Sequence, residues 1–394
     1  NIDSEYDTGN NMVFCFWTQN HESLKYFIVA GEASGDKQAA LLCAAILKAD
    51  PQAMIRGWGG EDMTSSGVTV TRHYRELAYM GFVEVIKHLP AIIRNFRFCK
   101  AEIMIFNPDA LILVDYPGFN LRMASWAHEQ KIPVYYYISP QLWAWHTSRV
   151  HKIKEAVRRM YVILPFEKAF YTKYQVNAVY IGHPLAMAIA AEKHIDIQPQ
   201  QNHIALLPGS RTHEVDLILP QMVALAKRMP EYYFKIVKVS HLPRDKYEKI
   251  IAGISNIEII EGNMHSIVRS CIAAVVTSGT ATLETALLNV PEVVVYKGNP
   301  FSYRIAKRLI KVKYISLVNL IADKELVPEL IQDNCNAAMM HSTLLEILKP
   351  ERYLRMQNEY LQLHDVLLSG GGADTAASDI ISDLRQLKPG NGKI

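Results

Sequence analysis

The chain has 394 residues, 49% of them hydrophobic and 21% charged, and a formal net charge of +3. That length can bury two separate cores, while a charge so small and scattered argues against a nucleic-acid-binding face. Five cysteines (Cys15, Cys43, Cys99, Cys271 and Cys335) form an odd, widely spaced set without a C-x-x-C, which supports neither a disulfide framework nor a zinc site and fits a reducing cytoplasm.

Residues 1–24 lack a basic region leading into a long apolar run, so they read as a tail ahead of the fold and not as a secretory signal. The first strand is expected at "YFIVAG", and further apolar runs follow at "ALILVDYP", "IPVYYYISP", "MYVILPF" and "AVYIGHP", each leading into a helical pattern. This alternation is the signature of an open parallel sheet wrapped by helices. Between the first two runs, Leu77 to Lys100 carries Met80, Phe82, Val83, Ile86 and Leu89, interleaved further on with Lys87, Arg94, Arg97 and Lys100. That is more apolar surface than one core-facing stripe requires, and it reads as two helices lying at a membrane surface, broken at Pro90; a long buried helix is the ordinary alternative. A polar stretch, Ala191 to Asn202, precedes a second series of runs at "IALLPGS", "YYFKIVKV", "IEIIEG", "AAVVTSG" and "EVVVYKG". Arg304, Lys307, Arg308 and Lys311 then share one helical face, suited to an anionic leaflet or simply to solvent. From about Arg352 to Leu387 the pattern is helical, interrupted by Gly370-Gly371-Gly372. No apolar run reaches the roughly 18 residues a membrane-spanning helix needs. The expected organisation is a tail (1–24), two doubly wound α/β domains (25–195 and 196–350) and C-terminal helices (351–394) packing back across them.

In such sheets ligands sit beyond the carboxyl ends of the strands. "GEASGD" follows the first run and places Gly31, Ser34, Gly35 and Asp36 toward the cleft, yet it has neither the G-x-G-x-x-G spacing nor a complete P-loop. No two aspartates stand two residues apart, so no D-x-D metal clamp is expected, nor any cofactor; a diphosphate has to be met by arginine and backbone. Asp115 directly follows a fully apolar strand, where burial would raise its pKa into the range of a general base; a structural carboxylate bonded to a helix N-terminus fits the position equally. "SPQLWAWHTSRVHKI" sets Trp143 and Trp145 beside Arg149, a wall of the core or a platform near a phosphate. Gly209, Ser210 and Arg211 stand where a strand hands over to a helix, an anion site by backbone N–H groups and dipole unless Arg211 pairs with Glu214 one turn on. Ser278, Gly279 and Thr280 repeat the arrangement, with Glu284 able to accept from ribose hydroxyls or to complete a helix cap with Thr280. Two such turns on neighbouring strand ends suit one nucleotide diphosphate.

"VAGEASGD", "MGFVEV", "DYPGFN", "SPQLWAW", "LPFEKAFY", "IGHPL", "LLPGSRTHEV", "TSGTATLETAL" and "YISLVNLIA", in this order from Tyr26 to Leu330, resemble the lipid-A-disaccharide synthases, glycosyltransferases of the GT-B fold. The resemblance implies two Rossmann-like domains facing a cleft. It also implies inverting transfer of 2,3-diacylglucosamine from UDP to the 6-hydroxyl of 2,3-diacylglucosamine 1-phosphate. On that basis Asp115 is the base and Arg211 meets the diphosphate, with Gly209, Ser210, Ser278, Gly279 and Thr280 around it. Glu284 holds the ribose, Ile260 and Gly262 lie near the uracil, and Asn319 faces the cleft with Trp145 and Arg149 on the acceptor side. The substrates imply a peripheral protein on the cytoplasmic face of the inner membrane, and a homodimer stays open. Two rival readings remain: another UDP-sugar enzyme of the same architecture, such as a non-hydrolysing epimerase, and a non-catalytic sugar-nucleotide binding protein.

Overall fold

The computed structural model describes residues 23–77, 89–144, 147–192, 197–299, 303 and 313–388. Two parallel sheets organise it. The first contains β1 (Lys25–Ala30), β2 (Met54–Gly59), β3 (Thr69–His73), β4 (Ala110–Val114), β5 (Val134–Tyr137), β6 (Arg159–Val162) and β7 (Ala178–Tyr180) in the order β3-β2-β1-β4-β5-β6-β7. Between its strands run α1 (Ala33–Ala49), α2 (Glu61–Ser65), α3 (Leu89–Phe106), α4 (Pro117–Glu129), α5 (Val150–Ala156) and α6 (Pro165–Lys173). The second sheet contains β8 (Gln200–Leu207), β9 (Tyr233–Val237), β10 (Ile257–Ile260), β11 (Cys271–Thr277), β12 (Glu292–Tyr296) and β13 (Glu329–Ile331) in the order β10-β9-β8-β11-β12-β13. With it go α7 (Pro184–Ala191), α8 (Thr212–Arg228), α9 (Arg244–Ile251), α10 (Met264–Arg269), α11 (Thr280–Leu287), α12 (Leu317–Ala322), α13 (Ala337–Ile347) and α14 (Pro350–Leu368), and the described chain closes with α15 (Gly372–Leu387).

The continuous apolar runs are central strands because helices cover both faces; every residue of β4 is buried. Each sheet has one place where the strand order reverses direction, between β1 and β4 in the first and between β8 and β11 in the second. These are the positions where doubly wound sheets open a crevice.

Three differences from the sequence reading have physical causes. β2 and β3 were not expected, since "MIRGWG" and "TVTRH" show no sustained apolar run; Gly57 is there because a Cβ would stand 2.0 Å from the Ile28 carbonyl oxygen across the β1–β2 pair. β8 reaches back to Gln200, inside the stretch read as a linker, because Gln200 pairs with Cys271 of β11. α7 was grouped with the first domain, yet its Ala186 and Ile189 are buried in the second core.

The chain therefore crosses between the cores just after β7 and returns after α14, whose Met356, Tyr360, Leu363 and Leu367 belong to the second core. α15 places Ala376, Ala377, Ile380, Ile381 and Leu384 in the first. The two crossings are hydrogen-bonded to each other: His183 N–H donates to the Leu367 carbonyl at 2.8 Å and Gly372 N–H to the Ile181 carbonyl at 2.7 Å. Glycine is needed where they touch, because a Cβ on Gly370 would lie 1.9 Å from the Gly182 nitrogen.

Candidate functional site

At the β1/β4 switch point, β4 ends on Asp115, and both Asp115 (φ 43°) and Tyr116 (φ 49°) are left-handed. Two consecutive non-glycine residues in that region cost about 1–2 kcal/mol each, and here the surroundings impose it. Asp115 N–H donates to the Tyr137 carbonyl at 3.1 Å. Its own carbonyl accepts from the Tyr136 hydroxyl at 2.6 Å and from Asn120 Nδ2 at 2.8 Å. The Tyr116 ring folds over Gly31, where a Cβ would stand 2.4 Å from ring carbons. This pins the turn at the carboxyl edge of the sheet, with Asp115 half-buried there. Burial, and next the negative charge of Glu32, push its carboxyl up to about 6, against a smaller lowering by the Tyr116 N–H. The group is thus a carboxylate at neutral pH with unusual basicity. Sequence reasoning passed over Glu32, although it stands at the N-cap position of α1 at the same switch point, its side chain making no cap hydrogen bond, and is exposed there with Ser34.

Other residues of this lobe are placed differently. Asp36 does not reach the cleft: it is buried and accepts from the N–H groups of Gly60 (2.6 Å), Asp62 (3.1 Å) and Met63 (3.3 Å), so it serves the start of α2. Gly35 is buried inside α1. Arg149 is exposed at the start of α5. Trp145, Met80, Phe82, Val83 and Ile86 lie outside the described residues, and Leu89 opens α3. The described part of α3 exposes Ile93, Phe98, Met104 and Ile105. Phe98 is engaged, stacked on Trp58 with Arg72 over its ring.

At the β8/β11 switch point the two glycine turns differ. After β8, Gly209 (φ 111°) brings Glu214 into the turn: one Glu214 oxygen accepts from the N–H groups of Ser210 (3.0 Å) and Arg211 (3.1 Å), the other from the Arg211 guanidinium (2.9 Å). Of the two readings left open for Arg211, the pairing with Glu214 is the one present, although the arginine side chain is 73% exposed. After β11, the second turn is open. Gly279 and Thr280 are exposed, and the N-cap of α11 is Gly279, which has no side chain to cap it. Thr280 and Glu284 therefore form no capping pair; Glu284 stands in the second turn, half-buried. Its pKa is raised by burial, an effect that nearby His265 opposes and Glu192 reinforces. Ile260 ends β10 and Gly262 (φ 150°) follows it, exposed.

Asn319 corrects the expectation most sharply. It is fully buried and its carboxamide is engaged on both ends, accepting from the N–H groups of Leu326 (2.7 Å) and Val327 (2.9 Å) and donating to the Val327 carbonyl (2.8 Å) and Glu329 (2.9 Å). It ties α12 to β13 and does not face the cleft.

A family model described as lipid-A-disaccharide synthetase matches residues 26–371. The lipid-A-disaccharide synthase of Syntrophus aciditrophicus is 39% identical over 364 residues, covering 89% of this chain and 95% of that protein. That of Haemophilus ducreyi is 37% identical over 376 residues, 91% of this chain and 96% of the relative. Among solved structures, the calicheamicin glycosyltransferase CalG4 superposes with a TM-score of 0.60 at 15% identity, over 94% of this chain and 100% of that one. A UDP-GlcNAc 2-epimerase from Neisseria meningitidis gives 0.59 at 13% identity, over 92% and 100%. At such identities these two establish the GT-B fold alone.

Proposed function

The chain belongs to the lipid-A-disaccharide synthetase family of glycosyltransferases, and from that premise we propose that it transfers 2,3-diacylglucosamine from UDP to the 6-hydroxyl of 2,3-diacylglucosamine 1-phosphate with inversion at the anomeric carbon. The observation that carries the chemistry is Asp115: a single inverting displacement needs one base on the acceptor side, and this carboxylate stands at the first switch point with its pKa pushed up to about 6. It takes the proton of the 6-hydroxyl as the oxygen attacks and UDP departs.

The leaving diphosphate gains negative charge in that step, and donors already aimed at it lower the barrier. Arg211 and the open turn at Ser278, Gly279 and Thr280 supply them. Arg211 reaches the diphosphate by exchanging Glu214 for the ligand, a swap between two anions that leaves the Glu214 carboxylate, 13% exposed in its side chain, held by the Ser210 and Arg211 N–H groups. Glu284 takes the ribose hydroxyls, with Ile260 and Gly262 beside the base. The decisive assay is UDP release that depends on acylated glucosamine 1-phosphate; release without acceptor, or interconversion of UDP-sugars instead, overturns the reading.

Acylated substrates also require a membrane surface. No described helix is long and apolar enough to cross a membrane, and the docking proposed here is peripheral. One exposed stripe of α3 combines Ile93, Met104 and Ile105 with Arg94 and Arg97, the mixture that lies in an interface with cations at the headgroups. We expect the protein to float with anionic liposomes at low salt, and Ile93, Met104 and Ile105 changed together to Ser to stay with the soluble fraction. Equal flotation of the two removes this face from the docking surface.

A further inference from the structure

Glu167 is 1% exposed and no role has yet been given to it. One of its oxygens accepts from the N–H groups of Ile163 (3.2 Å) and Leu164 (3.0 Å), the ordinary reach of a glutamate at the third position of a helix back to the N-cap. Such a glutamate normally leaves its other oxygen in water. Here the second oxygen is turned into the protein and accepts from the Ser139 hydroxyl at 2.7 Å and the Trp143 indole N–H at 3.0 Å. Burying a carboxylate is costly and pushes this one up to about 7, and capping α6 gives no reason to do it. The reason must lie in what the second oxygen holds.

It holds the loop that follows β5, which sets out from beside Asp115. Tyr136 and Tyr137 are the residues that fix the Asp115 backbone, and Ile138 (φ 66°) then turns the chain into "SPQLW". Trp143 ends against Phe166 in an edge-to-face pair, ring centroids 4.9 Å apart, and both rings are half-buried. Phe166 is the immediate neighbour of Glu167 in α6. One buried carboxylate therefore locks two half-exposed aromatic rings on the same sheet edge as Asp115, two strands away.

We propose that Glu167 is a positioning residue for the acceptor: it fixes Trp143 against Phe166 as an apolar wall along which an acyl chain of the acceptor lies. This rests on the acceptor-binding role given above to the first lobe.

The test uses the full chain and titrates donor and acceptor separately, with diacylglucosamine 1-phosphate and a short-acyl analogue as acceptors. Glu167→Gln should raise the acceptor KM by about tenfold or more, the weight of a hydrogen bond to a charged group, with the donor KM unchanged and kcat moved far less. Trp143→Phe keeps an apolar ring without the N–H and should give a smaller rise, and the double variant should be no worse than Glu167→Gln alone. The penalty should shrink on the short-acyl acceptor. Equal rises in both KM values, additive effects, or the same penalty for both acceptors overturn the proposal and leave Glu167 as a support of the fold. If Glu167→Gln does not fold, Ser139→Ala removes one donor and carries the same comparison with Trp143→Phe. Binding is also read without turnover, as an acceptor-induced change in tryptophan fluorescence that Trp143→Phe abolishes. A wild type that shows this change but no acceptor-dependent UDP release defeats the transferase reading and spares the wall; an active wild type without the change does the reverse.

Discussion

Asp115 is held in a costly backbone conformation, half out of water, with Glu32 adding to the difficulty of ionising it. Asp115→Asn should lower turnover by about 100-fold to 10,000-fold, the usual range for a general base, with UDP affinity unchanged; more than a tenth of wild-type turnover at saturation would assign it a structural role. Its folded pKa lies above the unfolded 3.8, so its contribution to stability is fully present below that value and lost as pH rises through about 6. Above that pH the ionised group costs stability, of the order of 3 kcal/mol. The inactive Asn variant should therefore melt at a higher temperature than wild type at pH 8 by calorimetry, and the advantage should vanish near pH 4. For Arg211→Ala, UDP binding measured by titration calorimetry should weaken by about 1.5–3 kcal/mol. On the proposal that the arginine and the open turn carry the diphosphate charge, EDTA should not change the wild-type rate; loss of rate restored by magnesium would refute that. Asp115 could be found in the sequence because a carboxylate ending a fully apolar strand is conspicuous. Glu32 could not, since its importance comes from which strand lies beside β1; Glu214 was legible as a partner for Arg211, but its hold on the Ser210 and Arg211 N–H groups was not, since that comes from how Gly209 folds the turn. Asn319 misled for the opposite reason: a polar residue in a plausible loop motif gives no sign that its partners, seven to ten residues on, will bury it.

Among the elements, α15 is the one whose placement the sequence left undecided. Its apolar spacing says that it packs, but what chooses the first lobe is charge. Asp383, 3% exposed in its side chain, accepts from the Tyr135 hydroxyl (2.6 Å), from Arg158 (2.5 and 3.0 Å) and from Arg159 (2.8 Å). Asp379 accepts from Tyr161 at 2.8 Å and pairs with Arg159. Those donors come from β5 and from the start of β6, so the helix is matched to a particular pair of strands. Asp383→Ala takes the acceptor from Arg158 and the buried Tyr135 hydroxyl and leaves Arg159 with Asp379 alone, and it should cost about 3 kcal/mol in denaturant unfolding, the scale for breaking one side of a buried ion pair; the partial exposure of Arg158 keeps it from being more. A loss under 1 kcal/mol would mean that the apolar face alone seats the helix. The strands that were legible beforehand are the ones buried on both faces, such as β4 and β11. Those that escaped are edge strands and glycine-bearing ones, β2, β3 and β13, whose identity comes from a neighbour's backbone and not from their own composition.

At the scale of the molecule, the two switch points bring Asp115 and the two glycine turns to the carboxyl edges of their respective sheets, and the two lobes are joined by a pair of crossings hydrogen-bonded to each other from His183 to Leu367 and from Gly372 to Ile181. That return crossing has a consequence for the order in which the protein is made. The first lobe takes part of its core from α15, so it cannot be finished when β7 leaves the ribosome. Between Ile181 and Leu387 lie 206 residues of further synthesis, roughly ten to forty seconds at ordinary elongation rates. Through that interval the seat of α15 is uncovered: buried apolar side chains of the first sheet, two unpaired arginines and two tyrosine hydroxyls. A chain cut after Leu368 fixes that unfinished state permanently, and it should aggregate on expression while the same cut chain supplied with a peptide of residues 369–388 recovers solubility. A helix made only after the whole second lobe is the lid on the first.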